Sequence, residues 1–187
     1  FDRPEGHLFA CCPQVKTPAG SERLWAGLGD EVSVVSTDTC SFTRAQKHMW
    51  WQGDERGYGD WTKIPMGLPG LDTMVPLLYT HGVRAGRISI NELVRLCATN
   101  PARIMGIRNK GELAPGFDAD IAIINPRASR VVSPSTLQSR CDWSPYEGRE
   151  LFGFAHTTLV RGVPVVENGA VVGTPGHGRF VERQLPV

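Results

Sequence analysis

Apolar runs in this chain are short and are broken by glycine, proline and polar clusters. His7-Leu8-Phe9-Ala10-Cys11-Cys12 is one such run, closed by Pro13, and it predicts a buried strand. Over residues 19–29, Leu24, Trp25 and Leu28 fall at helical spacing, with Ser21 near the start and Gly29 as a stop. Val32-Ser33-Val34-Val35-Ser36 is rich in β-branched residues and ends at Thr37-Asp38-Thr39. Strand, helix and strand within about 30 residues is the rhythm of an α/β protein with parallel strands.

Residues 40–75 break that rhythm. They hold Trp50, Trp51 and Trp61 among many glycines, and Ile64-Pro65-Met66-Gly67-Leu68-Pro69-Gly70 suits neither a continuous helix nor a central strand. The stretch reads as a long, ordered, irregular loop following a strand, and long loops of that kind tend to be functional. Helices follow. Leu71–Tyr79 is apolar, with Pro76 at a kink or in a first turn. Ser89-Ile90-Asn91-Glu92 is a capping box ahead of Leu93, Val94, Leu96 and Cys97. Asn100-Pro101 reads as an N-cap with proline at the first helical position, opening a short helix that stops at Gly106.

From Gly111 the period changes. Gly111-Glu112-Leu113-Ala114-Pro115-Gly116 is a turn-rich connection into a strand at Asp120–Asn125, with a second short strand at Arg130–Val132. Thr157–Val160 and Val163–Glu167 flank an Arg161-Gly162 turn, and Asn168-Gly169 is a type I′ hairpin signal leading to Ala170–Val172. The expected organisation is an α/β part over residues 1–112, an antiparallel β part over 113–174 and an extended tail over 175–187.

Composition narrows the function. The chain has 187 residues, with 20 Lys+Arg against 19 Asp+Glu, so it carries no basic footprint for nucleic acid or an anionic membrane surface. The 21 glycines and 14 prolines are many, yet short of low-complexity disorder. No apolar run approaches the roughly 20 residues of a membrane helix, and no signal peptide is expected. The opening Phe1, where a methionine would start a new chain, predicts a processed, engineered or excised segment. Five cysteines (11, 12, 40, 97 and 141) show no C-x-x-C pair, which excludes a zinc ribbon and predicts free thiols, mostly buried packing residues, in a reducing cytoplasm.

Few residues offer chemistry. Asp38 follows a predicted buried strand and precedes a long loop, the edge where α/β folds place catalytic groups, and a carboxylate there binds metal or acts as a base. A capping or turn aspartate is the plainer reading of the same residue. The five histidines form no H-x-H or H-E-x-x-H set, and each reads separately as a surface or packing residue. There is no G-x-S-x-G elbow and no Walker A loop. Gly176-His177-Gly178-Arg179 is read as part of a structural tail, with an anion-binding nest as its alternative.

Val35-Ser36-Thr37-Asp38-Thr39-Cys40-Ser41-Phe42 followed by Ala45-Gln46-Lys47 resembles the last barrel strand of hydantoinases and dihydropyrimidinases. Asp60-Trp61-Thr62-Lys63-Ile64-Pro65-Met66-Gly67-Leu68-Pro69-Gly70, Thr99-Asn100-Pro101-Ala102-Arg103 and Gly111-Glu112-Leu113-Ala114-Pro115-Gly116 continue the resemblance in family order. Asp118-Ala119-Asp120-Ile121, Ser144-Pro145-Tyr146-Glu147-Gly148, Thr158-Leu159-Val160-Arg161-Gly162 and Pro175-Gly176-His177-Gly178-Arg179-Phe180 complete it, so it covers nearly the whole chain. The chain is similar to the cyclic amidohydrolases of the amidohydrolase superfamily.

That resemblance implies an α/β fold class: the last strands and helices of a metal-dependent (β/α)8 TIM barrel, then the C-terminal part of a β-sandwich. It implies a binuclear metal centre, usually zinc, that polarises the carbonyl of a cyclic amide and acidifies the attacking water. Asp38 matches the family aspartate that binds one metal and moves a proton to the leaving nitrogen. The other metal ligands would lie upstream of Phe1, and His7 matches none of them. Cys12 and Met66 stand where the family contacts substrate, largely through the main chain, with a serine and an asparagine, and Thr39 replaces a commoner histidine. The implied reaction is ring opening of a hydantoin or dihydropyrimidine by a homotetramer. The 187 residues alone are expected to be inactive and uncomfortable as a monomer. A non-catalytic assembly member, or a chain that completes its barrel with a separate N-terminal polypeptide, stays open as the alternative.

Overall fold

The computed structural model describes residues 5–51 and 59–184. The middle of the aromatic-rich stretch (52–58) and the end of the tail (185–187) lie outside the described residues. The chain forms two compact units, each built from separate stretches. One comprises Phe1–Ser21, Thr37–Met74 and Val131–Glu150; the other comprises Glu22–Ser36, Val75–Arg130 and Leu151–Val187.

Helix α1 spans Pro18–Ala26. It starts earlier than the periodicity suggested. The Thr17 hydroxyl accepts from the Gly20 amide, and Pro18 takes a position where its missing N–H leaves no bond unmade. Helix α2 spans Arg44–Trp51, inside the stretch expected to be irregular loop. Its start is secured by reciprocal bonds between Thr43 and Gln46, the Thr43 amide donating to the Gln46 side chain at 2.8 Å. Among the described residues, the rest of that stretch is irregular apart from 3₁₀ turns at Trp61–Lys63, capped by the Asp60 carboxylate, and at Leu71–Thr73.

Two expected strands are absent. The run at His7–Cys12 begins as a 3₁₀ turn, Gly6–Phe9, that buries His7 and Leu8. Residues 32–36 are not a ladder strand: Val32 makes one parallel bridge with Leu28, and the Val35 amide donates to the Leu96 carbonyl at 3.1 Å. Both runs are apolar enough for a parallel strand, but such a strand needs neighbours on both sides that are distant in sequence.

Helix α3 is Met74–Leu78, with Pro76 in its first turn, and it runs on through a π turn at Tyr79–Val83. Helix α4, Ile90–Val94, opens with the expected capping box: the Ser89 hydroxyl accepts from the Glu92 amide, and the Glu92 carboxylate accepts from the Ser89 amide. A π turn at Arg95–Thr99 joins it to α5, Asn100–Ile104. Asn100 is therefore no N-cap. It lies inside one helical run, and its side-chain amide donates to the Ser33 carbonyl at 2.7 Å. The π turn supplies the backbone tolerance that Pro101 needs. Leu93, Leu96, Thr99 and Ala102 recur every three residues along this run and are buried.

The β region follows its hairpin signals. Strands β1 (Ile121–Ile124), β2 (Ser129–Val131), β3 (Glu150–Phe152), β4 (Ala155–Val160), β5 (Val163–Glu167) and β6 (Ala170–Val171) form two sheets, β1-β4-β5-β6 and β2-β3. Arg161 and Gly162 have φ of 49° and 78°, and Asn168 and Gly169 have 51° and 76°, so both two-residue turns have the primed geometry that matches strand twist. Lys110 pairs with Asp118 at 2.7 Å and with Asp120, whose other oxygen accepts from the Arg161 amide at 2.8 Å. Burial works against the charge on both Lys110 and Asp120. Hydrogen bonds to Asp118 and Asp120 outweigh it at the lysine, holding it above the ordinary value, and those from Lys110 and the Arg161 amide outweigh it at Asp120, holding that carboxyl below. The tail from Pro175 is extended. His177 sits against the Val160 carbonyl at 3.0 Å, and the Gln184 amide donates to the Gly106 carbonyl at 2.8 Å, while Phe180 is exposed.

Candidate functional site

Three segments of the first unit converge around the family motifs. Segment 37–40 carries Asp38, which is exposed and has φ 43°, the left-handed region that aspartate tolerates better than most residues. Its neighbours are pinned. The Thr39 hydroxyl accepts from the Gly70 amide at 2.9 Å and donates to the Leu68 carbonyl at 3.4 Å, and the Cys40 amide donates to that same carbonyl at 3.3 Å. Segment 64–70 is held against the third segment, where the Gly67 amide donates to the Ala10 carbonyl at 2.9 Å. Gly67 admits no side chain: a Cβ there would lie 2.4 Å from the Cys40 carbonyl oxygen.

The three residues anticipated for the site are thus all on these segments, and all are exposed. Met66 faces a cavity of about 340 Å³ with Phe9, Ala10, Cys11, Val15 and Trp61. Cys12 adjoins that wall without lining it, and Asp38 is not among its lining residues. Among the described residues nothing hydrogen-bonds or ion-pairs with the Asp38 carboxylate.

Beneath these segments lies chemistry that sequence reasoning missed. Lys47 of α2 is completely buried, and its ammonium donates to the Ala10 carbonyl at 2.8 Å and the Pro65 carbonyl at 2.5 Å. Burial holds its pKa below the ordinary lysine value, against the opposing influence of Cys11, Cys40 and Cys141. His7 is also buried, stacked on Trp51 with ring centroids 4.0 Å apart, and its Nε2 lies 3.2 Å from His48 Nε2. Burial first, then the charges of His48, Lys47 and Arg44, lower its pKa to about 4 against the opposing pull of Glu5. The packing role anticipated for His7 fits. The only sequence signal for Lys47 was its place in the Gln46-Lys47 motif.

No three His, Cys, Asp or Glu side chains among the described residues are placed to hold a metal ion. The described residues therefore do not make a metal centre by themselves. All five cysteines are free thiols, of which Cys141 is buried and Cys12 and Cys40 are exposed, so fewer are packing residues than expected.

Residues 63–166, more than half of the chain, match the amidohydrolase family model. A D-phenylhydantoinase from Escherichia coli O1:K1 is 37% identical over 186 residues, which are 98% of this chain and 39% of that protein. The D-hydantoinase structure from Bacillus sp. AR9 superposes with a TM-score of 0.87 at 36% identity, over 96% of this chain and 38% of the other. The L-hydantoinase (dihydropyrimidinase) from Arthrobacter aurescens gives 0.85 at 32% identity, over 95% and 38%. The chain therefore spans about two fifths of the length of these relatives. Helices first and antiparallel strands after fit the α/β class, the closing part of a TIM-barrel amidohydrolase and the strands beyond it. The chain belongs to the amidohydrolase family, and its relatives there are hydantoinases and dihydropyrimidinases.

Proposed function

We propose that this chain is the C-terminal portion of a metal-dependent cyclic amidohydrolase that opens hydantoin or dihydropyrimidine rings. The observation that carries the reading is the exposed carboxylate of Asp38, unbonded among the described residues and held in a left-handed turn, in a chain of which 98% aligns with a D-phenylhydantoinase. In this reading residues 1–112 belong to the barrel, 113–174 to the sandwich, and 175–187 to an arm laid along it.

The family makes divalent metal dependence the natural expectation, with zinc as the proposed ion. When bound, such ions polarise the amide carbonyl and acidify the attacking water. This chain would contribute Asp38 as one ligand; the remaining ligands belong to the rest of the protein. Asp38 also carries the proton. Its carboxylate takes a proton from water as the oxygen attacks the carbonyl carbon, and returns it to the ring nitrogen as the C–N bond breaks. Cys12 and Met66 present main-chain groups to the cyclic amide. Their side chains differ from the family's serine and asparagine, so they tune which ring fits while leaving the binding mode in place. A homotetramer in the cytoplasm is the proposed setting. No described helix is long and apolar enough to cross a membrane.

The test is elemental analysis beside a ring-opening assay, on the complete protein and on the 187 residues alone. The reading predicts about two metal ions and ring opening for the complete protein, with neither for the isolated chain. A complete, metal-loaded protein inactive on hydantoins and dihydropyrimidines would reject it in favour of an assembly role.

A further inference from the structure

Lys47 has a place in this structure that packing alone does not explain. It is 0% exposed, although lysine is among the residues least often buried without an ionic partner. An apolar side chain of similar length would fill the same space. Nor does the Ala10 carbonyl need the ammonium to be satisfied, because it already accepts from the Gly67 amide. What the ammonium adds is a tie. Its two bonds reach the Ala10 and Pro65 carbonyls, which belong to segments far apart in sequence. Ala10 is two residues before Cys12, and Pro65 directly precedes Met66.

The helix that carries it is set against the same two segments. Trp51 lies four residues after Lys47, hence on the same face of α2, and it packs in a buried cluster with Ala10 and Ile64. Trp51 thus fills the space beside the two segments, while the lysine fixes the distance between their backbones. The Phe42 ring, 5.7 Å from the ammonium, supports the charge from segment 37–42. Burial pushes this lysine toward the neutral form. The structure nevertheless keeps it bonded to two carbonyl acceptors, which favour the charged one.

We propose that Lys47 is a positioning residue of the hydrolase site: its buried ammonium spans the Ala10 and Pro65 carbonyls and sets the spacing of the two main-chain segments that bring Cys12 and Met66 to the substrate. The inference rests on the hydrolase reading above for what those segments bind. Lys47 itself touches no substrate. Its loss should weaken binding in ground state and transition state alike, which raises KM and leaves kcat nearly unchanged.

The experiment compares wild type, Lys47→Met and Lys47→Gln in the complete metal-loaded protein. Methionine keeps the volume without the charge, and glutamine keeps one donor. Ring opening of hydantoin and dihydrouracil is followed together with amide hydrogen exchange. Lys47→Met should raise KM on the order of tenfold with kcat within about threefold, and Lys47→Gln should fall between it and wild type. Amides of segments 10–12 and 64–67 should exchange several-fold faster, with the Ile90–Ile104 helical run unchanged as an internal reference. A KM within twofold of wild type, or exchange unchanged in those segments, overturns the role. If Lys47→Met does not fold, Lys47→Gln carries the same thresholds. A wild-type protein inactive on both rings counts against the hydrolase reading. The exchange arm then decides the tie by itself: acceleration in the two segments supports it and no change rejects it.

Discussion

The sheet of residues 121–171 and the run of residues 32–36 carry the same β-branched signal, yet only the sheet forms a ladder. In the sheet, Thr158 pairs with Val166 across the two-residue Arg161-Gly162 turn and with Ala122 on its other side, and a second two-residue turn at Asn168-Gly169 leads on to β6. At 32–36 the Val32 amide donates to the Gly27 carbonyl, the Val32 carbonyl accepts from the Gly29 amide, and the Val35 amide donates to the Leu96 carbonyl, so the bonds go to a local turn and a helical run instead of a strand. An antiparallel hairpin needs only what lies next to it in sequence. A parallel strand depends on partners that the sequence brings from far away. The first unit shows the same dependence in another form: side chains such as Lys47, Trp143 and Thr39, bonded across long sequence separations, hold its segments together.

The largest way to test that contrast is to remove one of those side chains. Trp143 is buried; its indole N–H donates to the Phe42 carbonyl at 2.8 Å, and its ring meets Phe9 edge-on. Trp143→Ala should destabilise by about 3–5 kcal/mol in a denaturant titration. Val166→Ala, at a half-buried sheet position, should stay near ~1 kcal/mol. Equal losses at both positions would remove the distinction between side-chain-tied segments and a backbone ladder.

Hydrogen exchange sharpens it next. In the 187-residue chain, amides of residues 157–160 should exchange at least about 100-fold more slowly than those of 33–36, since β4 is paired on both sides. Similar rates would mean that residues 32–36 find strand partners in solution.

Acid should act on the side-chain-tied region through His7. Its folded pKa is about 4 against 6.5 unfolded, so the unfolded chain takes up the proton first. The stability held by neutral His7 is complete above pH 6.5 and declines as pH falls toward 4, by roughly 2 kcal/mol or more. His7→Phe, which keeps a ring over Trp51, should flatten stability over that window. A slope unchanged in the variant would assign the acid sensitivity to other groups. The smallest effect is local: Ser89→Ala removes one half of the capping box and should cost about 1 kcal/mol.

Legibility in the sequence follows the same division. The Asn168-Gly169 and Arg161-Gly162 turns, the Ser89 capping box and the strands of the β region were readable because each signal is complete within a few residues. Helix α2 was hidden by a tryptophan- and glycine-rich setting, and its Thr43–Gln46 bonds went unread. Asn100-Pro101 looked like a helix start because a π turn that accommodates proline leaves no local signature. Motif order set Asp38, Cys12 and Met66 on three separate segments, and the structure brings those segments together. The buried Lys47 and the His7–Trp51 stack were not legible, because burial of a polar residue is decided by segments remote in the chain.

The measurement that bears most directly on the account is ring opening by the complete metal-loaded protein, wild type beside Asp38→Ala. The account predicts an active wild type and an alanine variant reduced at least about 10³-fold in kcat/KM, some 4 kcal/mol of transition-state stabilisation, while still folded. An alanine variant with near-wild-type turnover would contradict it.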